Sequence, residues 1–128
     1  MSKGLRVLVA DDDVLVADTL ARILKLHQIE ALAVHSGVEA VAVANTFRPD
    51  AAILDVVMHD LNGIEVALAI RRELPSCRII LFSGNEETSS LLAMAADKGH
   101  AFSALAKPVH PLELIEALGS ISPGLAAD

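Results

Sequence analysis

A chain of 128 residues, 53% of them hydrophobic and with a mean hydropathy of +0.51, has room for one core but not for two domains with a cleft between them. Its 10 Lys and Arg against 17 Asp and Glu leave a net charge of -7, which argues against nonspecific binding to nucleic acid or to an anionic membrane. The longest apolar run, Leu91 to Ala96, falls far short of the ~20 residues of a membrane span, and the single Cys77 excludes an intrachain disulfide and a cysteine zinc site. The apolar excess must therefore be buried, as in a parallel sheet covered on both faces. Met1-Ser2-Lys3-Gly4 runs straight into Leu5-Arg6-Val7-Leu8-Val9-Ala10. Neither a long apolar segment nor a small-residue cleavage site follows, so no secretory signal is expected and a cytoplasmic location is.

In chain order, β-branched apolar runs fall at about 5–10, 30–35, 50–54, 78–82 and 101–106, and helical periodicity falls at about 13–27, 37–47, 62–74, 86–98 and 110–119. Strands two and five are the weaker, because Ala31, Ala33, Ala101, Ala104 and Ala106 dilute the strand propensity. Five strand-then-helix units predict an α/β fold, a parallel sheet with right-handed crossovers. Turn residues support these boundaries. Ser36-Gly37 precedes the second helix, and Arg48-Pro49-Asp50 separates it from the third strand. Asn62-Gly63 opens the third helix and Leu74-Pro75 closes it. Lys98-Gly99 is placed to end the fourth helix, and Pro111 with Glu113 to begin the fifth. The expected domain spans residues 1–122, with a frayed tail over 123–128 and no output domain.

Ligands of open parallel sheets bind at the carboxyl ends of the strands. Strand one runs into Asp11-Asp12-Asp13, strand three into Asp55, strand four into Ser83-Gly84 and strand five into Lys107-Pro108. Alone, each has an ordinary explanation: an Asp after a strand is usually a cap or turn residue, a Ser the start of a turn and a Lys surface. Together they set acid, acid, hydroxyl and ammonium on four strand ends. Carboxylates gathered in one pocket repel unless a cation neutralises them, and an all-oxygen donor set suits a hard ion such as Mg²⁺. A cation with Lys107 attracts phosphate, Ser83 can donate to a phosphoryl oxygen, and one carboxylate can then be a nucleophile. Asp55 is the natural candidate. Asp13 reads as the solvated cap of the first helix.

The chain here resembles the receiver domain of bacterial response regulators, over roughly residues 5 to 119. The resemblance rests on Val7-Leu8-Val9-Ala10-Asp11-Asp12-Asp13, Ala52-Ile53-Leu54-Asp55-Val56-Val57-Met58 with Asn62-Gly63, Leu81-Phe82-Ser83-Gly84 and Ala106-Lys107-Pro108, with Ser36-Gly37-Val38-Glu39-Ala40 similar to the family's second helix entry. It implies a doubly wound, five-stranded, flavodoxin-like sheet of order 2-1-3-4-5, the strand order of the chemotaxis regulator. It implies Asp55 as phosphoacceptor. The Mg²⁺ ligands would be Asp12 directly, Asp11 mainly through water, Asp55, and the Val57 backbone carbonyl. Ser83 and Lys107 would bind the phosphoryl group, with the Lys107-Pro108 peptide cis. The donor would be a sensor histidine kinase or a histidine phosphotransfer protein, and the phosphorylated form would change conformation for a downstream protein. The receiver would catalyse only its own phosphorylation and dephosphorylation, as a monomer or a weak phosphorylation-dependent dimer.

Four positions depart from the family pattern. Ala104 stands where an aromatic is usual, and period-two alternation puts it on the same strand face as Phe102. His59 replaces the usual proline after Met58, with no metal partner spaced for it. Val57 is apolar where many relatives are polar; with Gly84 and Asn85 it would tune the lifetime of the acyl phosphate. Asp13 makes a third acid in a row. Among the remaining residues, Arg71-Arg72 is read as solvated, Leu91 and Met94 as core or interface, and His27, His35, His100 and His110 as free of ligand spacing. Two alternatives compete. A haloacid-dehalogenase-like phosphatase needs an acidic pair after the lysine, but only Glu113, Glu116 and Asp128 follow Lys107, and Asp55 would have no role. A binding-only pseudo-receiver conflicts with the complete acid, hydroxyl and lysine set.

Overall fold

The computed structural model describes residues 4–84, 93, 102–106 and 110–119. It alternates β1 (Arg6–Ala10), α1 (Val14–Leu26), β2 (Glu30–Val34), α2 (Gly37–Phe47), β3 (Ala51–Asp55), α3 (Gly63–Glu73), β4 (Arg78–Ser83), β5 (Ser103–Ala106) and α4 (Pro111–Gly119). All five strands are parallel, in the order β2-β1-β3-β4-β5. The strand order and the element boundaries agree with the expectation to within one or two residues. Of the helix expected over 86–98, only Ala93 is described, and it is helical. Leu91, Met94, the Lys98-Gly99 stop and the tail lie outside the described residues.

The sheet is apolar on both faces because helices cover both, and successive side chains point opposite ways. Leu8, Ala10, Ala52, Leu54, Ile79 and Leu81 pack under α2 and α3. Val7, Val9, Ala51, Ile53, Ile80 and Phe82 pack on the other face, against Leu20 and Leu24 of α1 and Leu114 and Leu118 of α4. Every residue of the central strand β3 is buried. The helix caps are local. Asp13 Oδ1 accepts from the Val16 N–H to cap α1, as the sequence suggests, and Ser36 Oγ accepts from Glu39 N–H at α2. Asn62 and Glu65 form a reciprocal capping box at α3.

Arg71 is not the solvated residue that its place in a late helical turn suggests. It is half-buried; its Nε–H donates to the Cys77 carbonyl at 2.9 Å, and its guanidinium lies 5.3 Å from the centre of the Phe102 ring. The bond ties the end of α3 to the approach to β4. Beside it, burial pushes the Cys77 thiol up to about 11 against the opposing charge of Arg71, so the thiol stays protonated at neutral pH. Phe102 packs on the α2–α3 face while Leu105 packs on the other, so the alternation expected for β5 holds.

α2 ends on Arg48, which adopts φ 50° and ψ 65° and donates its N–H to the Ala44 carbonyl. A side chain makes this left-handed conformation cost about 1–2 kcal/mol, partly offset in glycine by greater freedom of the unfolded chain. Arg48→Gly is therefore expected to stabilise the protein by about 0.5–1 kcal/mol, read as a higher urea midpoint at unchanged slope; a lower midpoint contradicts this account of the cap.

Candidate functional site

β1 and β3 pair in register, Ala10 opposite Leu54. The next residues, Asp11 and Asp55, continue the parity of Val9 and Ile53 and emerge on the same face of the sheet. Asp11 and Asp55 are 1% and 4% exposed, the two buried charged side chains among the described residues. With the exposed Asp12 they present carboxylate oxygens that all lie within 4.8 Å of one another. Unit charges at such a distance repel by about 3.5 kcal/mol at an effective dielectric of about 20. An all-carboxylate cluster this close suits a divalent cation, so the residues present fit the metal that the sequence pattern implies.

Backbone donors fix the carboxylates. The Asp13 N–H donates to Asp11 Oδ1 at 2.9 Å, and the Val57 N–H donates to Asp55 Oδ1 at 3.3 Å. Residue 57 is thus held beside the Asp55 carboxylate, while its side chain is half exposed. Ser83 is the half-buried last residue of β4, one step beyond the Asp55–Phe82 pairing and opposite Ala106. Gly84 follows it, exposed, and Ala104 on β5 is exposed as well. Lys107, the Lys107-Pro108 peptide and Asn85 lie outside the described residues. The structure therefore brings Asp11, Asp12, Asp55 and Val57 together, with Ser83 at the end of the neighbouring strand.

The segment between β3 and α3 is tied down on several sides, and most of these ties are not legible in the sequence. The Gly63 N–H donates to the Val56 carbonyl at 2.8 Å. A β-carbon on Gly63 would sit 2.5 Å from the Asp55 carbonyl oxygen and 2.9 Å from Val56 Cα, so α3 can approach the acid only as glycine. Asp60 reaches across to α2: its two oxygens accept the Gly37 and Val38 N–H groups at 2.9 Å each, and Oδ1 also accepts from Leu61. The Val38 and Gly37 bonds at the helix N-terminus hold the Asp60 carboxyl down at about 2.

His59, for which spacing along the chain offers no partner, has one in the fold: its Nδ1 lies 3.5 Å from Asp12 Oδ2. The available signal is its place four residues after Asp55, on the loop that leaves the same end of the sheet. His35, also without an assigned role, has Nε2 2.8 Å from Asp18 Oδ1, which joins β2's exit to α1.

With this geometry in hand, comparison with known proteins settles the family. The profile of the response regulator receiver domain matches residues 7–119. The chain belongs to that family. It is 35% identical over 89 residues to the response regulator MprA of Mycobacterium avium, an alignment covering 70% of this chain and 39% of MprA. The chain thus spans about two fifths of the curated relatives it matches. A CheY-like receiver domain protein from Methanospirillum hungatei has the same fold, with TM-score 0.85, 21% identity and 98% of each chain covered. A putative response regulator from Chloroflexus aurantiacus superposes with TM-score 0.79 and 28% identity over 97% of this chain and 99% of that one. The receiver domain of two-component systems is therefore the frame for the acidic site. Among the described residues no helix is long and apolar enough to cross a membrane.

Two expectations follow for the loop. Gly63→Ala must displace the Asp55 backbone or the start of α3, and is expected to destabilise the fold by about 1–3 kcal/mol in urea unfolding; wild-type stability would show that the contact relaxes freely. For Asp60 the folded pKa lies below the ordinary 3.8, so the folded state binds fewer protons than the unfolded chain in that window. Its stabilising effect is full above the ordinary carboxylate range and is lost as pH falls through about 2. Asp60→Asn should therefore flatten the acid limb of the stability-pH curve between about pH 4 and 2, and an unchanged limb would remove Asp60 from this role.

Proposed function

We propose that this receiver accepts a phosphoryl group on Asp55 from a phosphohistidine and relays the change to a partner. The observation that carries the reading is the buried Asp55 carboxylate at the end of β3, within 4.8 Å of the Asp11 and Asp12 carboxylates. In the proposed step an Asp55 oxygen attacks phosphorus in line, a P–O bond forms and the P–N bond of the donor breaks. The leaving imidazole takes up a proton. Hydrolysis returns the carboxylate and inorganic phosphate when water attacks the same phosphorus. Mg²⁺, held by Asp11, Asp12, Asp55 and the Val57 backbone carbonyl, would supply the charge neutralisation that lets an anionic donor approach.

In this reading the Val57 N–H orients the attacking carboxylate. Ser83 hydrogen-bonds the new phosphoryl group, Lys107 pairs with its charge, Val57 and Asn85 flank the path of the attacking water, and Gly84 is a further tuning position. A sensor histidine kinase or histidine phosphotransfer protein is the donor, a downstream protein reads the result, and neither nucleic acid nor membrane is contacted directly. The chain acts on itself alone, in the cytoplasm, as a monomer or weak dimer, and residues 1–122 form the receiver. Relocating a buried aromatic side chain can contribute a few kcal/mol to a conformational change, since it moves ~150–250 Å² at ~25 cal/mol per Å². Ala104 cannot supply that contribution, so the response on the β5 side is muted relative to that beside Asp55.

The test is intact mass after incubation with a small phosphodonor and Mg²⁺. Wild type is expected to gain one phosphoryl group, labile to base and hydroxylamine, and Asp55→Asn none; equal labelling of the two sinks the assignment. Asp12→Ala removes a like charge along with a ligand, so it should lose Mg²⁺-dependent labelling while its stability holds or rises. Labelling that persists in excess chelator would refute the metal's part.

A further inference from the structure

His59 stands beside Asp12, the exposed member of the acidic cluster, and its ring carries a nitrogen donor just outside the group of three carboxylates whose oxygens lie within 4.8 Å of one another. The side chains of His59 and Asp12 are 67% and 35% exposed, so both can reach an ion entering from solvent. Their donor atoms, Nδ1 and Oδ2, are 3.5 Å apart. Two donors bound at about 2.1 Å to one ion stand about 3.0 Å apart in octahedral geometry and about 3.4 Å apart in tetrahedral geometry. The observed spacing to Asp12 is thus close to that of neighbouring ligands on a single cation, and rotation of the exposed ring would bring its nitrogen toward an ion shared with Asp11 and Asp55. The loop that carries His59 is fixed on both sides, by Asp60 on α2 and by the Gly63 N–H on Val56, which limits the entropy lost when the ring binds.

An imidazole changes which ion such a site prefers. Mg²⁺ takes oxygen donors and dehydrates reluctantly, whereas first-row transition dications bind imidazole nitrogen readily and gain affinity along the Irving–Williams order. We propose that His59 supplies a nitrogen ligand to the cation held by Asp12, so that this receiver takes a first-row transition dication such as Mn²⁺ in preference to Mg²⁺. The inference rests on the metal-assisted phosphoacceptor reading above and adds to it the identity of the favoured ion.

The probe is Mn²⁺ itself, with Mg²⁺ as competitor, on wild type and on His59→Ala and His59→Gln. Free Mn²⁺ is counted by electron paramagnetic resonance, and spin-echo modulation reports nitrogen bound to the ion. Wild type is expected to show ¹⁴N modulation and both variants to lose it. The ratio of Mg²⁺ to Mn²⁺ dissociation constants should fall at least about tenfold in the variants, with Mg²⁺ affinity nearly unchanged. Unaltered Mg²⁺ binding also shows that each variant is folded. Mn²⁺ binding with no ¹⁴N modulation, or with the same ratio in all three proteins, overturns the role of His59 and leaves the phosphoacceptor reading standing. Failure of the wild type to bind either ion overturns both.

Discussion

Everything at the carboxyl edge of this sheet depends on the in-register pairing of β1 with β3. With Ala10 opposite Leu54, the first residues past the paired segment emerge side by side on one face. A shift of one residue would send one of the two acids to the other face of the sheet and disperse the cluster. The register is held by the core itself: Val7, Val9, Ala51 and Ile53 belong to one packed layer and Leu8, Ala10, Ala52 and Leu54 to the other. Two apolar layers therefore position a charged one, and the repulsion among Asp11, Asp12 and Asp55 is imposed by packing that none of them contributes to.

The alternation of five apolar strands with five amphipathic stretches is enough to read the fold, because both faces of the sheet are covered and each strand is a continuous apolar run. Asp11, Asp12, Asp55 and Ser83 are legible for the same reason, since a polar residue directly after a buried strand stands out. What is not legible are contacts that join residues far apart in sequence through short polar loops. Asp60 looks like any acid in a turn, yet it caps a helix that begins 23 residues earlier. Arg71 looks like a surface charge complementing a helix end, but its long side chain folds back along Phe102 and onto a carbonyl. Spacing along the chain gives His59 no partner, whereas Asp12 reaches it from a different strand end. Periodicity reports which face a residue takes; it does not report where loop side chains meet.

These loop contacts give the β3–α3 segment a definite mechanical character. Its start is fixed by the Val57 N–H on Asp55, its middle by Asp60 on α2, and its end by the α3 capping box and the close approach of Gly63. The loop is therefore part of the frame of the site and not a flap over it. On the proposed function, adjustment during phosphoryl transfer then falls to the side chains on that frame.

Asp60 has a consequence of another kind, for the speed of encounter. A helix N-terminus pointing toward the working edge of a sheet is an attractor for phosphorylated molecules, because its unpaired N–H groups carry partial positive charge. At α2 that attractor is already filled by an internal carboxylate. On the proposed function, a chain of net charge -7 that has closed this basin with its own anion would give an anionic phosphodonor little long-range guidance. Capture of such a donor would then rest on short-range docking of matched surfaces. Screening by salt, which slows association between oppositely charged partners, should here hasten the encounter with an acidic donor.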